Sequence, residues 1–155
     1  MVSNGTELEA GYDRVFTVTD YYDGPRKGIA NFRGQLHFYE CLFSEDHDGY
    51  SDLYQLTPIS RKTFDLAMED WAIWQRWEGA FHARKATLES HPALPQDRAR
   101  HHEIDAVLSS SLKTDESTCI VRVGSFDVVE SSTALTIAAR TWRVRWTERQ
   151  TDISH

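Results

Sequence analysis

Glu78 and His82 are the pair of residues whose types and spacing best fit acid–base chemistry. They stand four positions apart in a helical pattern, which makes their side chains neighbours on one helix face. The surrounding stripe is aromatic, and an apolar setting favours the protonated form of a carboxylate. The pair therefore predicts a general acid and base, or two metal ligands to which His101 adds a third. The alternative is a hydrogen-bonded polar pair that only stabilises the core.

Glu40 is a second candidate for catalysis, because it shares a predicted strand face with Leu36, Phe38 and Leu42. A carboxylate on an apolar face must either find a partner or lie at a cleft. The sequence offers several arginines without selecting one of them. A catalytic carboxylate and a structural ion pair are therefore both open for this residue.

Aromatic and cationic residues flank the predicted turn at Asp23–Gly24. Tyr21 and Tyr22 precede the turn, and Arg26 and Lys27 follow it after a proline. Aromatic rings beside cations can stack on a flat ligand or hold an anion. The same composition is also that of an ordinary hairpin turn. We expect this segment to bind a ligand or partner, with a plain turn as the alternative.

Three carboxylates, those of Asp46, Asp48 and Asp52, lie in a predicted loop between two strands. The loop matches part of a calcium-binding EF-hand, but Ser44 and Gln55 occupy positions where that motif needs carboxylates. A solvated acidic loop is the simpler interpretation. Such a loop would attract a basic protein partner through long-range electrostatics.

The elements that must position these residues are strands, then helices, then strands again. Helical periodicity predicts helices over 61–85 and 95–112, after an earlier group of strands. Strands are predicted again over 118–123, 125–129 and 135–147. Strands on both sides of a helical pair indicate an α+β fold. We expect a small antiparallel sheet or open barrel of about six or seven strands, with the inserted helical pair packed on it.

The start of the first helix is the clearest local signal in the sequence. Ser60 is placed to accept a hydrogen bond from a free N–H group of the first turn. Ile59 and Phe64 occupy the two positions of a hydrophobic staple. Trp71 and Trp74 fall on the apolar stripe, so we expect both side chains to anchor the core.

The charge balance narrows the classes of partner. The chain has 17 Lys and Arg against 24 Asp and Glu, a formal net charge of -7, and most of the excess acid falls in residues 1–60. Nucleic-acid binding depends on a basic surface, so this balance argues against a nucleic-acid partner. Anionic membranes would be repelled for the same reason. A basic protein is the partner that the charge favours.

Length and composition fit one domain over residues 1–155, with a loose leader over 1–12 and a polar tail over 148–155. No long apolar run or signal peptide is evident, which predicts a cytoplasmic protein without a membrane span. Cys41 and Cys119 stand outside any CxxC pair, in segments predicted to be buried strands, and are expected to be buried free thiols. We expect no metal and no cofactor.

Two functions remain open on these grounds. The first is a non-enzymatic, acidic protein-interaction module of a soluble bacterial-type protein, which uses its N-terminal region to meet a basic partner. The alternative is a small enzyme or ligand-binding protein with a pocket between helix and sheet, built around Glu78 and His82. The sequence does not determine the oligomeric state.

Overall fold

Six antiparallel strands close into a barrel in the computed structural model, which describes residues 11–44, 49–129, 134 and 136–149. Most of the expected leader and tail falls outside these ranges. Each strand pairs with the next along the chain, and the last pairs with the first. The strands are β1 (Asp13–Tyr21), β2 (Pro25–Phe32), β3 (Gln35–Ser44), β4 (Gly49–Pro58), β5 (Ile120–Val128) and β6 (Trp142–Glu148).

Two helices connect β4 to β5 and pack on the outside of the barrel. They are α1 (Arg61–His82) and α2 (Arg98–Ser111), with short 3₁₀ turns at Leu88–Ser90 and Pro95–Asp97 between them. This order confirms the predicted α+β fold with an inserted helical pair. The second helix begins three residues later than expected, because the residues from Pro95 to Asp97 form the 3₁₀ turn instead.

The sheet is closed, where a small sheet or an open barrel was expected. β1 and β6 pair at Asp13↔Val144 and Arg14↔Arg143, so neither strand is left as an exposed edge. Closure requires contact between the first and the last strand. The alternation of apolar and polar residues within one strand does not predict such a distant contact.

The last third of the chain also differs from the prediction. β5 runs without a break through Gly124, where two separate strands were expected. β6 begins only at Trp142, because residues 136–140 form bends and turns. Residue 135, the expected start of the last strand, lies outside the described residues.

Aromatic side chains fill the barrel. The rings of Tyr39, Tyr54, Phe126 and Trp146 form a connected group with centroids 5.1–6.2 Å apart. Both tyrosine hydroxyls and the Trp146 indole N–H donate to backbone carbonyls at 2.8–3.0 Å, as buried polar groups require. The barrel interior is therefore a packed core rather than a channel.

A second apolar core lies between the helices and the outside of the barrel. Ile29 of β2 packs there with Phe64 and Ile73 of α1 and with Ile104 of α2, and all four side chains are buried. Burial of this area drives the docking of both helices, because the hydrophobic effect scales with apolar area removed from water. The helices are thereby held over β1 and β2.

β1 is irregular where the helices cover it. Its pairing with β2 shifts between Val15 and Thr17 and again between Val18 and Asp20. Such bulges bend a strand and redirect its side chains. The Thr17 hydroxyl accepts a hydrogen bond from the Ile29 N–H at 3.0 Å, which ties the bulge to the neighbouring strand.

The start of α1 confirms the sequence signals. The Ser60 hydroxyl accepts the Thr63 N–H at 3.1 Å, and Ile59 and Phe64 belong to the same apolar core. Within the residues that the structure describes, neither helix is long and apolar enough to cross a bilayer.

Candidate functional site

A cavity of about 360 Å³ lies between the bulged stretch of β1 and the two helices. We call it the helix–barrel cavity. Its wall is largely apolar, and its volume falls in the range of small-molecule sites. The side chains that give it chemical character are Tyr21 of β1, Asp70, Trp71 and Trp74 of α1, His91 of the connecting segment and His101 of α2.

Asp70 and His101 meet in the wall of this cavity. The Asp70 Oδ1 atom lies 2.7 Å from His101 Nδ1, and both side chains are about four-fifths buried or slightly less. A proton on Nδ1 completes this hydrogen bond and leaves Nε2 of the neutral imidazole as an acceptor. The carboxylate thus fixes the ring and its tautomer, which is how a histidine is prepared to bind or to exchange a proton.

Two further ion pairs flank this contact on the solvent side of the helices. Arg100 holds Glu69 through two hydrogen bonds of 2.6 and 2.7 Å, and Arg76 holds Asp97 through bonds of 2.9 and 3.1 Å. The Arg100 guanidinium lowers the pKa of the Glu69 carboxyl. These bidentate pairs set the position of α2 along α1, and with it the shape of the cavity.

Trp71 and Trp74 form the flat wall of the cavity. Their ring centroids lie 4.9 Å apart at an interplanar angle of 32°, and each ring is half-buried. The expectation that both anchor the core holds in part: Trp71 packs against the barrel core, but both rings are only partly buried and line the cavity. Trp77 is the buried tryptophan of α1, with 5% of its surface exposed and its indole N–H on the Ser90 hydroxyl at 2.9 Å.

No protein-family model, curated protein or solved structure matches this chain. What the cavity can do therefore follows from its own geometry and from the placement of the residues that the sequence singled out.

Glu78 and His82 do not form the expected pair. Glu78 is buried and accepts a hydrogen bond from the Thr136 hydroxyl at 2.5 Å, which ties α1 to the segment before β6. His82 is exposed in the last turn of α1 and packs against the edge of the Phe81 ring. Four-residue spacing brings two side chains to one helix face, but here Glu78 is buried against the segment before β6 while His82 is exposed.

Glu40 forms one hydrogen bond and one ion pair with residues of other elements. Its carboxylate accepts the Thr114 hydroxyl at 2.6 Å and lies 3.6 Å from the Lys27 ammonium, on the outer face of the barrel. The contact with Thr114 links β3 to the segment between α2 and β5. Neither Glu40 nor Lys27 lines the helix–barrel cavity.

Arg26 holds the turn between β1 and β2. Its guanidinium donates to the carbonyls of Tyr22 at 2.7 Å and Asp23 at 2.8 Å, which steadies a turn with positive φ at Asp23 and Gly24. Tyr21 turns inward to the cavity and to the Trp142 ring. Of the aromatic residues at this turn, Tyr22 is the exposed one.

The same end of the barrel carries an exposed aromatic cluster that sequence reasoning missed. The Tyr50 ring lies 6.2 Å from Tyr22 and 5.5 Å from Phe43, and the Arg26 guanidinium lies over it at 4.7 Å. Asp52 is exposed nearby on β4, whereas Asp46 and Asp48 lie outside the described residues. The sequence does not predict that Phe43 and Tyr50 are exposed, because an aromatic residue at the end of a strand has the same local pattern as one in the core.

Asp70 is the other functional candidate that the sequence did not single out. His101 was considered only as a third metal ligand, and its true partner lies 31 residues away on another helix. Within the described residues, no three His, Cys, Asp or Glu side chains converge as metal ligands. The Asp70–His101 contact is a hydrogen-bonded pair in the cavity wall.

Proposed function

We propose that this protein binds a small, flat, mostly apolar molecule in the helix–barrel cavity. The observation that carries the proposal is the combination of an apolar wall with one oriented polar pair, Asp70 and His101. Small-molecule sites typically join an apolar enclosure with a few convergent polar groups. The proposal keeps the pocket between helix and sheet that the sequence analysis raised, and replaces its expected residues.

The chemistry of the wall defines the class of ligand. The tilted rings of Trp71 and Trp74 favour an aromatic ring, which gains from stacking as well as from burial. Asp70 Oδ2 is an acceptor, and His101 Nε2 is one in the neutral ring that Asp70 orients. A planar nitrogen heterocycle with N–H donors satisfies both requirements.

Binding is favoured over catalysis by what surrounds the histidine. Within the described residues, no serine or threonine hydroxyl or cysteine thiol is hydrogen-bonded to His101, as an activated nucleophile would be. Thr17 lines the cavity, but it is buried and its hydroxyl accepts the Ile29 N–H rather than contacting His101. The pair is therefore proposed to orient a ligand rather than to transform one.

The experiment is a titration with a panel of soluble indoles, aminopyridines and purine bases, followed by tryptophan fluorescence and calorimetry. We expect at least one member to bind, and Asp70→Asn to weaken it about tenfold, the effect of one charge-assisted hydrogen bond. Asp65→Asn is the matched control, because it makes the same substitution on the same helix at an exposed residue that pairs with Arg61 of α1 and does not line the cavity. Equal loss in both variants, or no binding across the panel, would overturn the proposal.

A second candidate function is the interaction of an acidic surface with a basic protein. Its support is the acidic–aromatic end, a name we give to the exposed side chains at the turns between β1 and β2 and between β3 and β4. These are Tyr22 (70% exposed), Phe43 (53%), Tyr50, Asp23 and Asp52, with the half-buried Asp20 beside them. Scattered exposed aromatics are common, but a contiguous group is typical of a binding surface.

An octalysine peptide provides the probe for this second function. We expect association to slow several-fold at low salt in Asp20→Asn/Asp52→Asn, since charges at a rim mainly set the association rate. Asp105→Asn/Glu116→Gln removes the same charge from exposed positions elsewhere and serves as the control. Equal rates for the two double variants would leave the acidic–aromatic end without a role in attraction.

The proposed setting is the reducing cytoplasm. Both cysteines, Cys41 and Cys119, are free thiols in the structure, and a compartment that keeps thiols reduced suits them.

A further inference from the structure

A second groove of about 520 Å³ lies at the start of α1, on the opposite end of β1 from the acidic–aromatic end. Its floor is apolar, with Phe16 edge-on to Phe64 at 4.9 Å between the ring centroids. Leu36 and Met68 extend this floor. We call it the arginine groove, because Arg14 and Arg61 form its walls. It shares no lining residue with the helix–barrel cavity.

Both arginines lie close to the aromatic floor. The Arg14 guanidinium carbon is 4.7 Å from the centre of the Phe16 ring, and that of Arg61 is 5.3 Å from the centre of Phe64. Such contacts hold a guanidinium by one face and leave its N–H edge available to an anion. Two cations thus stand over one apolar floor.

Arg61 occupies a position that disfavours a cation. It is the first residue of α1, and the first turn of that helix contains no acidic residue. The N-terminus of a helix carries partial positive charge, so a cation there is destabilising and an anion stabilising. Arg61 pairs with Asp65 at 3.1 Å, but both side chains are largely exposed and the cation stands N-terminal to the anion, the weaker order for such a pair.

Arg14 also occupies a position where a second positive charge is destabilising. It lies directly opposite Arg143 in the β1–β6 pair, and like charges opposite each other on one sheet face are destabilising. Arg143 has Asp127 at 3.3 Å, whereas no carboxylate among the described residues pairs with Arg14. Two independent arrangements that cost stability therefore concentrate positive charge around the same groove.

We propose that the arginine groove binds a small anionic amphiphile, a short acyl or aryl chain with one carboxylate. The chain would lie on Phe16, Leu36, Phe64 and Met68, and the carboxylate would accept hydrogen bonds from both guanidiniums. The volume suits a single free molecule of this kind rather than a membrane surface. A local breach of stability rules is typical of a functional site, since the ligand compensates for it. This inference is independent of the proposed ligand of the helix–barrel cavity.

The test compares three probes that share one chain, octanoate, octan-1-ol and octylammonium, by calorimetry and two-dimensional NMR at low salt. We expect octanoate to bind best and octylammonium not to bind, with resonance shifts centred on Phe16 and Phe64. Arg14→Gln and Arg61→Gln should each weaken octanoate about tenfold, the effect of one charge-assisted hydrogen bond. Lys62→Gln is the matched control, because it removes the same charge from the same helix turn but does not line the groove.

Stability provides a readout that separates a binding role from a structural one. If the two arginines serve a ligand, Arg14→Gln and Arg61→Gln should unfold at the same temperature as the parent protein or at a higher one. The proposal is overturned if both variants are clearly destabilised, if octan-1-ol binds as tightly as octanoate, or if octanoate binding survives both substitutions. Loss of octanoate binding in Trp74→Ala alone would assign it to the helix–barrel cavity and equally overturn this inference.

Discussion

The Asp70 carboxylate meets the His101 imidazole at 2.7 Å on the cavity side of the two helices, while the adjacent Glu69 and Arg100 pair on the solvent side. Consecutive residues of each helix thus contribute to two contacts that point in different directions. The outer contact fixes the position of α2, and the inner contact presents polar atoms to an otherwise apolar cavity. A change in the helix position would therefore alter the binding wall as well as the helix interface.

Trp77 and Trp74 should differ in their contribution to stability. Trp77→Ala should lower the free energy of unfolding by about 3–5 kcal/mol, because the side chain is buried and its removal leaves a void. Trp74→Ala should cost only roughly half as much, since one side of the ring already faces the cavity. Urea unfolding measures both values. Equal losses would show that Trp74 is a core residue and that the cavity is not open to it.

Gly28 and Gly79 form a matched pair for alanine substitution. A methyl group on Gly28 would collide with the Thr17 carbonyl and with the Tyr39 hydroxyl, and the backbone oxygen cannot move away. Gly28→Ala should therefore destabilise strongly, by about 3 kcal/mol or more, in the range of overpacked cores. Gly79→Ala meets open space within α1 and should stabilise by about 0.5–1 kcal/mol. Thermal unfolding of the two variants should shift in opposite directions, and a stable Gly28→Ala would contradict this barrel packing.

The elements were predictable where the signal is local. Ser60 and the Ile59–Phe64 staple marked the start of α1, because capping depends on residues within one turn. Barrel closure was not predictable, because it depends on the pairing of β1 with β6. The register partners Arg14 and Arg143 are separated by nearly the whole chain. Closure also explains the filled interior, because inward-facing residues of all six strands meet there.

The candidate site was predictable only in outline. A pocket between helix and sheet was the alternative interpretation of the sequence, and the cavity found there is lined by Asp70 and His101 and not by Glu78 or His82. Helical periodicity places Glu78 and His82 on the broad stripe of α1 and His101 on the inner side of α2, and it does not show which of these side chains becomes buried. The choice depends on the rotation of α1 over β1, which the periodicity of a single helix does not specify.

Alkaline pH should destabilise the protein through two buried phenols. Burial raises the pKa of Tyr39 and of Tyr54 above the ordinary value of 10.0, and both hydroxyls donate to backbone carbonyls. A group whose folded pKa is raised contributes stability that is complete below the unfolded pKa and declines above it. The free energy of unfolding should therefore fall as the pH rises beyond about 10.

Phenylalanine variants test this pH dependence. Tyr54→Phe should cost about 1 kcal/mol at neutral pH, because the Pro25 carbonyl loses its donor, but should show a shallower fall above pH 10. Tyr22→Phe is the control, since that ring is exposed and its substitution should leave the profile unchanged. Denaturant unfolding between pH 8 and about 11 provides the measurement. A Tyr54→Phe profile parallel to that of the parent protein would exclude Tyr54 as the cause.

Cys41 should react with alkylating reagents much more slowly than Cys119. Burial raises the pKa of the Cys41 thiol, although Arg26 partly opposes this, and the thiol donates to the Ser51 carbonyl at 3.1 Å. The thiolate is the reactive form, so a buried thiol with a raised pKa is slow on both counts. Cys119 is only half-buried. The test is labelling with iodoacetamide at about pH 8, followed by peptide mass mapping. We expect Cys119 to be labelled first and Cys41 only in urea. Equal labelling of both cysteines in the native protein would mean that β3 opens readily beside Arg26.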